Sequence, residues 1–177
     1  MSRPWTTAFV SLGSNLGDRA ASLAFAVDRL RASEGIRAMA LSPVYETDPV
    51  GPPPQGPYLN AVARLETRLA PRALLLRLLE IEERAGRRRS GVRGEPRRLD
   101  LDLLLYGALV LDEPGLVVPH PRLHERAFAL EPLCDLDPDR VHPVSGERIA
   151  TLARRARDPA AVRRLGALEI NANSTVE

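Results

Sequence analysis

The stretch that most constrains this chain is Arg97-Arg98-Leu99-Asp100-Leu101-Asp102-Leu103-Leu104-Leu105-Tyr106. Alternation of leucine with aspartate is a strand pattern with one apolar and one polar face. A strand over Leu99–Tyr106 sends Leu99, Leu101 and Leu103 into a core. It stands Asp100 and Asp102 side by side, about 6–7 Å apart at Cα. Two carboxylates on one face suit a hard divalent cation such as Mg²⁺, which takes oxygen ligands and keeps a phosphate-bearing substrate as co-ligand. The arginines that run into the strand suit phosphate oxygens. An Asp-x-Asp on an amphipathic strand is also what an ordinary solvated face looks like. Placed beside the arginines, it reads as a metal–polyphosphate site.

The basic residues narrow the chemistry further. All 25 are arginine, because the sequence contains no lysine. That excludes a P-loop, a protein-kinase strand lysine and Schiff-base catalysis. Phosphate must be handled by arginine, metal, histidine or backbone N–H groups. Net charge is only +2, yet Arg84, Arg87, Arg88, Arg89, Arg93, Arg97 and Arg98 cluster against Glu95 alone, which leaves the rest of the chain acidic. A basic loop on an acidic body points to a local anionic ligand, not to a nucleic-acid track. Aromatic residues, at 4%, are too few for a base-stacking sheet.

At 177 residues the chain suits one domain, with a core over about residues 6–157 and a partly frayed C-terminal extension over 158–177. No apolar run is long enough for a bilayer, and the first residues lack the apolar stretch of a secretory signal. Cys134 is the only cysteine, so no internal disulfide is available and a cytoplasmic setting is expected. Its plain reading is a small buried hydrophobe. No membrane, nucleic-acid or obligate protein partner is expected.

The order of elements reads β-α-β-β-α-β with further C-terminal helices. Thr6–Leu12 is a strand, and Asp18 caps a helix with the stripe Leu23, Val27 and Leu30, closed by Gly35. Met39–Glu46 is a second strand, with Pro43 implying an edge or a bulge. The proline-rich segment Asp48–Pro57 is a stiff loop, and Tyr58–Leu69 is a third strand. Pro71–Ala85 is a helix burying Leu74, Leu75, Leu78, Leu79 and Ile81, with Gly86 at its end. After the basic loop and the Leu99–Tyr106 strand, Gly107 turns into Leu109–Leu111 and a loop leads to Val117–Pro121. Helical pattern resumes at Leu123–Leu133 and Glu147–Arg157; Asn171–Glu177 is polar and frayed. The fold class is α+β, a split βαβ sandwich with helices packed on an antiparallel sheet.

Other constellations stay open at this level. Gly13-Ser14-Asn15-Leu16-Gly17 either cradles a phosphate at a helix N-terminus or is a plain strand-to-helix turn. His120 and His124 have zinc-like i, i+4 spacing, but Pro121 between them and the lack of a third ligand weaken it; His120 better suits a phosphate hydrogen bond. Tyr58 and Asn60 share a strand face and could stack on and hydrogen-bond a flat heterocycle.

Taken in order, five blocks resemble one family. They are Ser11-Leu12-Gly13-Ser14-Asn15-Leu16-Gly17-Asp18; Ser42-Pro43-Val44-Tyr45-Glu46-Thr47; Gly51 with Pro57-Tyr58-Leu59-Asn60-Ala61; Pro96-Arg97-Arg98-Leu99-Asp100-Leu101-Asp102; and Val118-Pro119-His120-Pro121-Arg122 with Arg126-Ala127-Phe128. The family is 6-hydroxymethyl-7,8-dihydropterin pyrophosphokinase. The resemblance implies a ferredoxin-like fold and transfer of a diphosphoryl group from ATP to the pterin's hydroxymethyl oxygen, with release of AMP, in folate biosynthesis. It implies two Mg²⁺ ions, bound with ATP, on Asp100 and Asp102. It places ATP on Glu82, Arg87, Arg89, Arg97, Leu103, His120 and Arg126, with Arg89 and Arg97 catalytic. It places the pterin on Thr47, Val50, Tyr58, Asn60 and Phe128. The chain departs from the pattern at Gly94 and Glu95, where an aromatic residue and a glycine usually precede the Pro-Arg pair.

Overall fold

The computed structural model describes residues 3–49, 54–86, 95–158 and 161–169. The first strand, β1 (Thr6–Ser14), leads through a short turn into helix α1 (Arg19–Arg31). As the sequence implies, Asp18 caps α1 by accepting a hydrogen bond from Ala21 N at 3.0 Å. Leu23, Val27 and Leu30 are fully buried, each contributing about 1.5–3 kcal/mol through burial. Gly35 follows at φ +84°, a left-handed conformation that side chains resist.

The second predicted strand is two strands. β2 (Ile36–Leu41) and β3 (Val44–Thr47) are separated at Ser42-Pro43. Proline offers no N–H for a ladder. At the break, the Ser42 hydroxyl accepts the Val62 N–H at 2.9 Å, while Ser42 N donates to Val62 O at 2.9 Å. β2 and β3 therefore line the same side of one long strand, β4 (Tyr58–Thr67), along different parts of its length.

Helix α2 (Pro71–Arg84) starts on its proline as expected. Leu74, Leu78 and Ile81 are buried, whereas Leu75 and Leu79 are only half-buried and Glu82 takes an inner position instead. The aspartate strand, β5 (Asp100–Tyr106), pairs with β1 at the edge of the sheet. The main sheet runs β5-β1-β4-β3 and ends on β8 (Val162–Gly166), with β2 also on β4; among the described residues every pairing in it is antiparallel.

Three further corrections fall in the C-terminal half. The expected loop after Leu111 is a hairpin, β6 (Leu111–Glu113) with β7 (Leu116–Val118), turning on Pro114-Gly115. The Leu123–Leu133 pattern is a single 3-10 turn, Leu123–Glu125, followed by α3 (Ala127–Leu136), and α4 spans Ile149–Ala156. The extension expected to fray contributes β8, because β3 leaves an open edge whose backbone groups need partners. Asn171–Glu177 lies outside the described residues.

The sheet is covered on both faces. Helices α1 and α2 cover Val10, Leu12, Ala61, Leu65, Leu101 and Leu103; α3 and α4 cover Phe9, Val62, Leu104 and Leu105. Strict alternation would send Leu105 to the side of Leu103. The register with β1 slips between Phe9 and Val10, so Leu104 has no partner and both Leu104 and Leu105 enter the second core. A bulge of this kind re-aims side chains next to a site. Here it lets one strand serve two cores and still present aspartates. No helix among the described residues is long and apolar enough to cross a membrane.

Candidate active site

The site lies on the second face of the sheet, beyond the area that the α3 and α4 core covers. Pairing register fixes its rows. Asp100 is opposite Gly13, Gly13 is opposite Asn60, and Asn60 is opposite Tyr45. In the next row Asp102 is opposite Ser11, and on the other side Thr47 is opposite Tyr58. Residues opposite one another share a face. The alternation that buries Leu59, Ala61 and Leu101 on the first side therefore presents Tyr58, Asn60, Thr47, Asp100 and Asp102 together on the second.

Gly13 makes this face usable. A Cβ built there would lie 2.9 Å from Asn60 Oδ1 and 3.8 Å from Tyr58 Cδ1. The strand between the amide and the aspartates thus carries no side chain. Asn60 and Asp100 sit on strands two spacings apart, about 10 Å.

Each aspartate is held by an arginine. Arg97 Nη1 donates to Asp100 Oδ1 at 2.8 Å, and Arg126 Nη1 donates to Asp102 Oδ2 at 3.3 Å. Burial, together with the Asp100 charge, raises the Asp102 carboxyl above the usual carboxylate range against the opposing pull of Arg126. A divalent cation between the carboxylates would remove that penalty, so the donor set fits a hard metal shared with substrate oxygens. Among the described residues no three His, Cys, Asp or Glu side chains converge, so phosphate and water must complete such a site.

His120 is tied to this strand: its N–H donates to Leu104 O, the carbonyl of the bulged residue, at 2.9 Å. Burial, then Arg126 and Arg122, push its pKa down to about 4. The neutral ring accepts the Arg122 N–H at Nδ1, 3.1 Å away, which leaves its hydrogen on Nε2 as a donor. Arg126 lies with its guanidinium carbon 5.6 Å from the Phe128 ring centroid, so one residue links the aspartate end to the aromatic at the start of α3.

On the other half of the face, Asn60 Nδ2 donates to Thr47 Oγ1 at 2.6 Å, with both residues buried. Tyr58 is half-buried beside them, and its hydroxyl donates to Gln55 Oε1 at 3.3 Å.

The turn after β1 proves to be a joint. Asn15 N donates to Arg97 O at 3.0 Å, and Arg97 N donates to Asn15 Oδ1 at 2.8 Å. Asn15 Nδ2 donates to Gln55 Oε1 at 2.6 Å and to Gly56 O at 3.3 Å. Asn15 therefore spends its N–H on protein, and the plain-turn reading holds there over a phosphate cradle. Asn15 and Gln55, which sequence reasoning did not single out, clip the arginine segment to the proline loop. The signal for Asn15 was its place in the Gly13–Gly17 block.

Two expected nucleotide residues lie off this face. Leu103 packs in the first core. Glu82 is buried on α2, where its Oε1 accepts the Leu101 N–H at 2.7 Å, between the two aspartates. Arg87, Arg89 and Val50 lie outside the described residues, as do Gly91 and Gly94.

Residues 9–138 match the family model of 7,8-dihydro-6-hydroxymethylpterin-pyrophosphokinase, HPPK. The chain belongs to the HPPK family. It is 44% identical over 161 residues to the 2-amino-4-hydroxy-6-hydroxymethyldihydropteridine pyrophosphokinase of Methylorubrum extorquens, covering 90% of this chain and 99% of that protein. The Pseudomonas aeruginosa protein of the same name is 47% identical over 131 residues, covering 74% of this chain and 80% of that protein. The folic acid synthesis protein fol1 of Schizosaccharomyces pombe is 43% identical over 136 residues, 77% of this chain but only 18% of that protein. The chain thus spans about a fifth of its fungal relatives. A crystal structure of Plasmodium falciparum HPPK-DHPS superposes with a TM-score of 0.69 at 14% identity, covering 85% of this chain and 43% of the other. At that identity the likeness concerns the fold: an antiparallel sheet with helices, as in other HPPK domains.

Proposed function

We propose that this chain transfers the terminal diphosphoryl group of ATP to the hydroxymethyl oxygen of 6-hydroxymethyl-7,8-dihydropterin and releases AMP, a step of folate biosynthesis. The observation that carries the reading is the shared face. Asp100 stands about 10 Å from Asn60, across the side-chain-free strand position of Gly13, with Asp102 one row further along. A flat heterocycle on Thr47, Tyr58, Asn60 and Phe128 would point its exocyclic arm along that gap toward phosphates at the aspartates. The strand order β5-β1-β4, with β2 and β3 both on the far edge of β4 and β8 added beyond β3, and α1 and α2 on one side, supports a ferredoxin-like reading of the scaffold within one domain.

In this reading Asp100 and Asp102 would hold two Mg²⁺ ions bound with ATP. Bound there, the metal neutralises the polyphosphate and fixes its oxygens. The protein's own part is positioning and charge compensation. Arg126 and Arg97 already lean on the aspartates, and with ATP present they can turn to the phosphates as the AMP oxygen gains charge. His120, neutral at physiological pH, offers Nε2–H to a phosphate oxygen without adding charge. Arg87 and Arg89, outside the described residues, would by the family resemblance add further cations for the phosphates. Leu103 reaches nucleotide only through its main chain on the β5 edge, and Glu82 supports that edge from below. The acceptor oxygen bonds to the β-phosphorus while the bond from that phosphorus to the α,β-bridging oxygen breaks.

The deciding experiment is a nucleotide product assay with Mg-ATP, with and without the pterin alcohol. AMP formed only in the presence of the pterin is expected. ADP, or AMP formation indifferent to the pterin, would overturn the reading. Gly13→Ala tests the gap. The added methyl must displace the Asn60 amide from Thr47, which costs about one hydrogen bond, so the KM for the pterin should rise about tenfold. The melting temperature should stay within a few degrees, since the clash is with a side-chain tip. An unchanged pterin KM in Gly13→Ala would remove Asn60 from the acceptor subsite.

A further inference from the structure

Strand β8 lies outside residues 9–138, the segment matched by the family model, yet it borders the strand that carries Thr47. β3 has four residues and pairs with β4 only from Tyr45 to Thr47. Its other edge, Val44–Thr47, is taken up by β8. Consecutive residues of a strand point to opposite faces, and β8 places arginines at two consecutive positions, Arg163 and Arg164.

Each arginine engages one face of β3. On the α1 side Arg163 Nη2 donates to Glu46 Oε1 at 2.9 Å. The other Glu46 oxygen is 3.0 Å from Arg19 Nη1, and that same nitrogen donates to Pro57 O at 2.7 Å, one residue before Tyr58. On the α3 side Arg164 Nε lies 3.6 Å from Asp135 Oδ2, the oxygen that accepts the Tyr45 hydroxyl at 2.6 Å. Tyr45 in turn is opposite Asn60 in the ladder. The two arginines therefore brace Glu46 and Tyr45, the two residues before Thr47, and the entry to Tyr58; Arg164 shares the sheet face of Tyr45, where it is engaged with Asp135.

We propose that β8 is a latch for the acceptor subsite: Arg163, through Glu46 and Arg19, and Arg164, through Asp135 and Tyr45, set the positions of Thr47, Asn60 and Tyr58 and thereby the affinity for the heterocyclic substrate. They are positioning residues. The inference rests on the pterin reading above. The aspartate end of the face, on β5 and four strands from β8, is outside their reach.

The test compares the wild type, Arg163→Ala, Arg164→Ala and the double variant of the full chain. Binding of 6-hydroxymethyl-7,8-dihydropterin and of a non-hydrolysable Mg-ATP analogue is measured by calorimetry, alongside amide hydrogen exchange of residues 44–47. Exposed ion pairs are individually weak, so each single variant should lose about threefold in pterin affinity and the double variant about tenfold. Exchange at Glu46 and Thr47 should be faster, and affinity for the nucleotide analogue unchanged within twofold. Arg164→Lys should restore part of the loss. Unchanged pterin affinity in the double variant overturns the latch, and so does an equal loss for pterin and nucleotide, which marks general destabilisation. A wild type that binds no pterin overturns the functional reading itself, and that result is separable because it appears before any variant is compared.

Discussion

Asp102→Asn is expected to reduce diphosphoryl transfer by at least about a thousandfold while leaving the fold intact. The substitution keeps size and hydrogen bonding but removes the charge that would hold a divalent cation against the polyphosphate. It leaves Arg126 without its carboxylate partner at 3.3 Å and leaves Asp100 as the single anionic donor of the pair. Stability should move the other way. The Asp102 carboxyl is raised by burial and by Asp100, so the folded state holds that proton more tightly than the unfolded chain does. Whatever the protonated group contributes is present at low pH and is lost as pH rises through its folded pKa. At neutral pH and without metal, Asp102→Asn should therefore melt at or above the wild-type temperature. Mg-ATP should raise the melting temperature of the wild type and not of the variant. Turnover within tenfold of wild type would remove the metal assignment; a lower melting temperature in metal-free buffer would contradict the electrostatic account.

Glu82→Ala should be the most destabilising single change next to the site, by about 2–4 kcal/mol. Glu82 is 1% exposed, and its Oε1 accepts the Leu101 N–H, the backbone group between the two aspartates on the outer edge of β5. Alanine strands that N–H in a buried position and opens a cavity between α2 and β5. For a chain of this size the melting temperature should fall by about 5–15 °C. Loosening β5 also spreads the spacing of Asp100 and Asp102, so the kcat should fall at temperatures where the variant is still folded. Glu82→Gln retains an acceptor oxygen and should recover most of the stability. If Glu82→Ala melts like the wild type, Glu82 does not pin the strand. If Glu82→Gln keeps its melting temperature but loses ATP affinity, the carboxylate charge also acts on nucleotide.

Much of the architecture was legible because it depends on local pattern. The Asp100–Tyr106 strand, the Asp18 cap, the Pro71 start of α2 and the alternation along β4 each follow from side-chain periodicity or from one residue's backbone preference. The pairing of Tyr58 with Asn60, and of Asp100 with Asp102, followed from the same period of two. The sequence also narrowed the chemistry, since a chain without lysine is left with arginine, histidine, metal or backbone N–H groups for phosphate.

What the sequence left open depends on partners distant along the chain. The register slip that turns Leu104 and Leu105 into one core is decided by how β5 meets Phe9 and Val10. The division of Met39–Glu46 into β2 and β3 needed Ser42 to find Val62. Glu82 looks like any helix carboxylate until the Leu101 N–H is placed against it. Asn15 carries no strong local signal, yet it clips two loops together. β8 was the hardest to foresee: Val162–Gly166 is short, has three exposed residues and shows little alternation. Its stability comes from the open edge of β3 and from carboxylates on Glu46 and Asp135, 117 and nearly 30 positions away along the chain. Local pattern determined which residues stand together as candidates for the proposed chemistry, because a side chain's face is set by its neighbours in sequence. Only the tertiary structure brought the acceptor residues and the aspartates onto one face across the bare position of Gly13, because strand order and register are set by pairings between segments far apart in the chain.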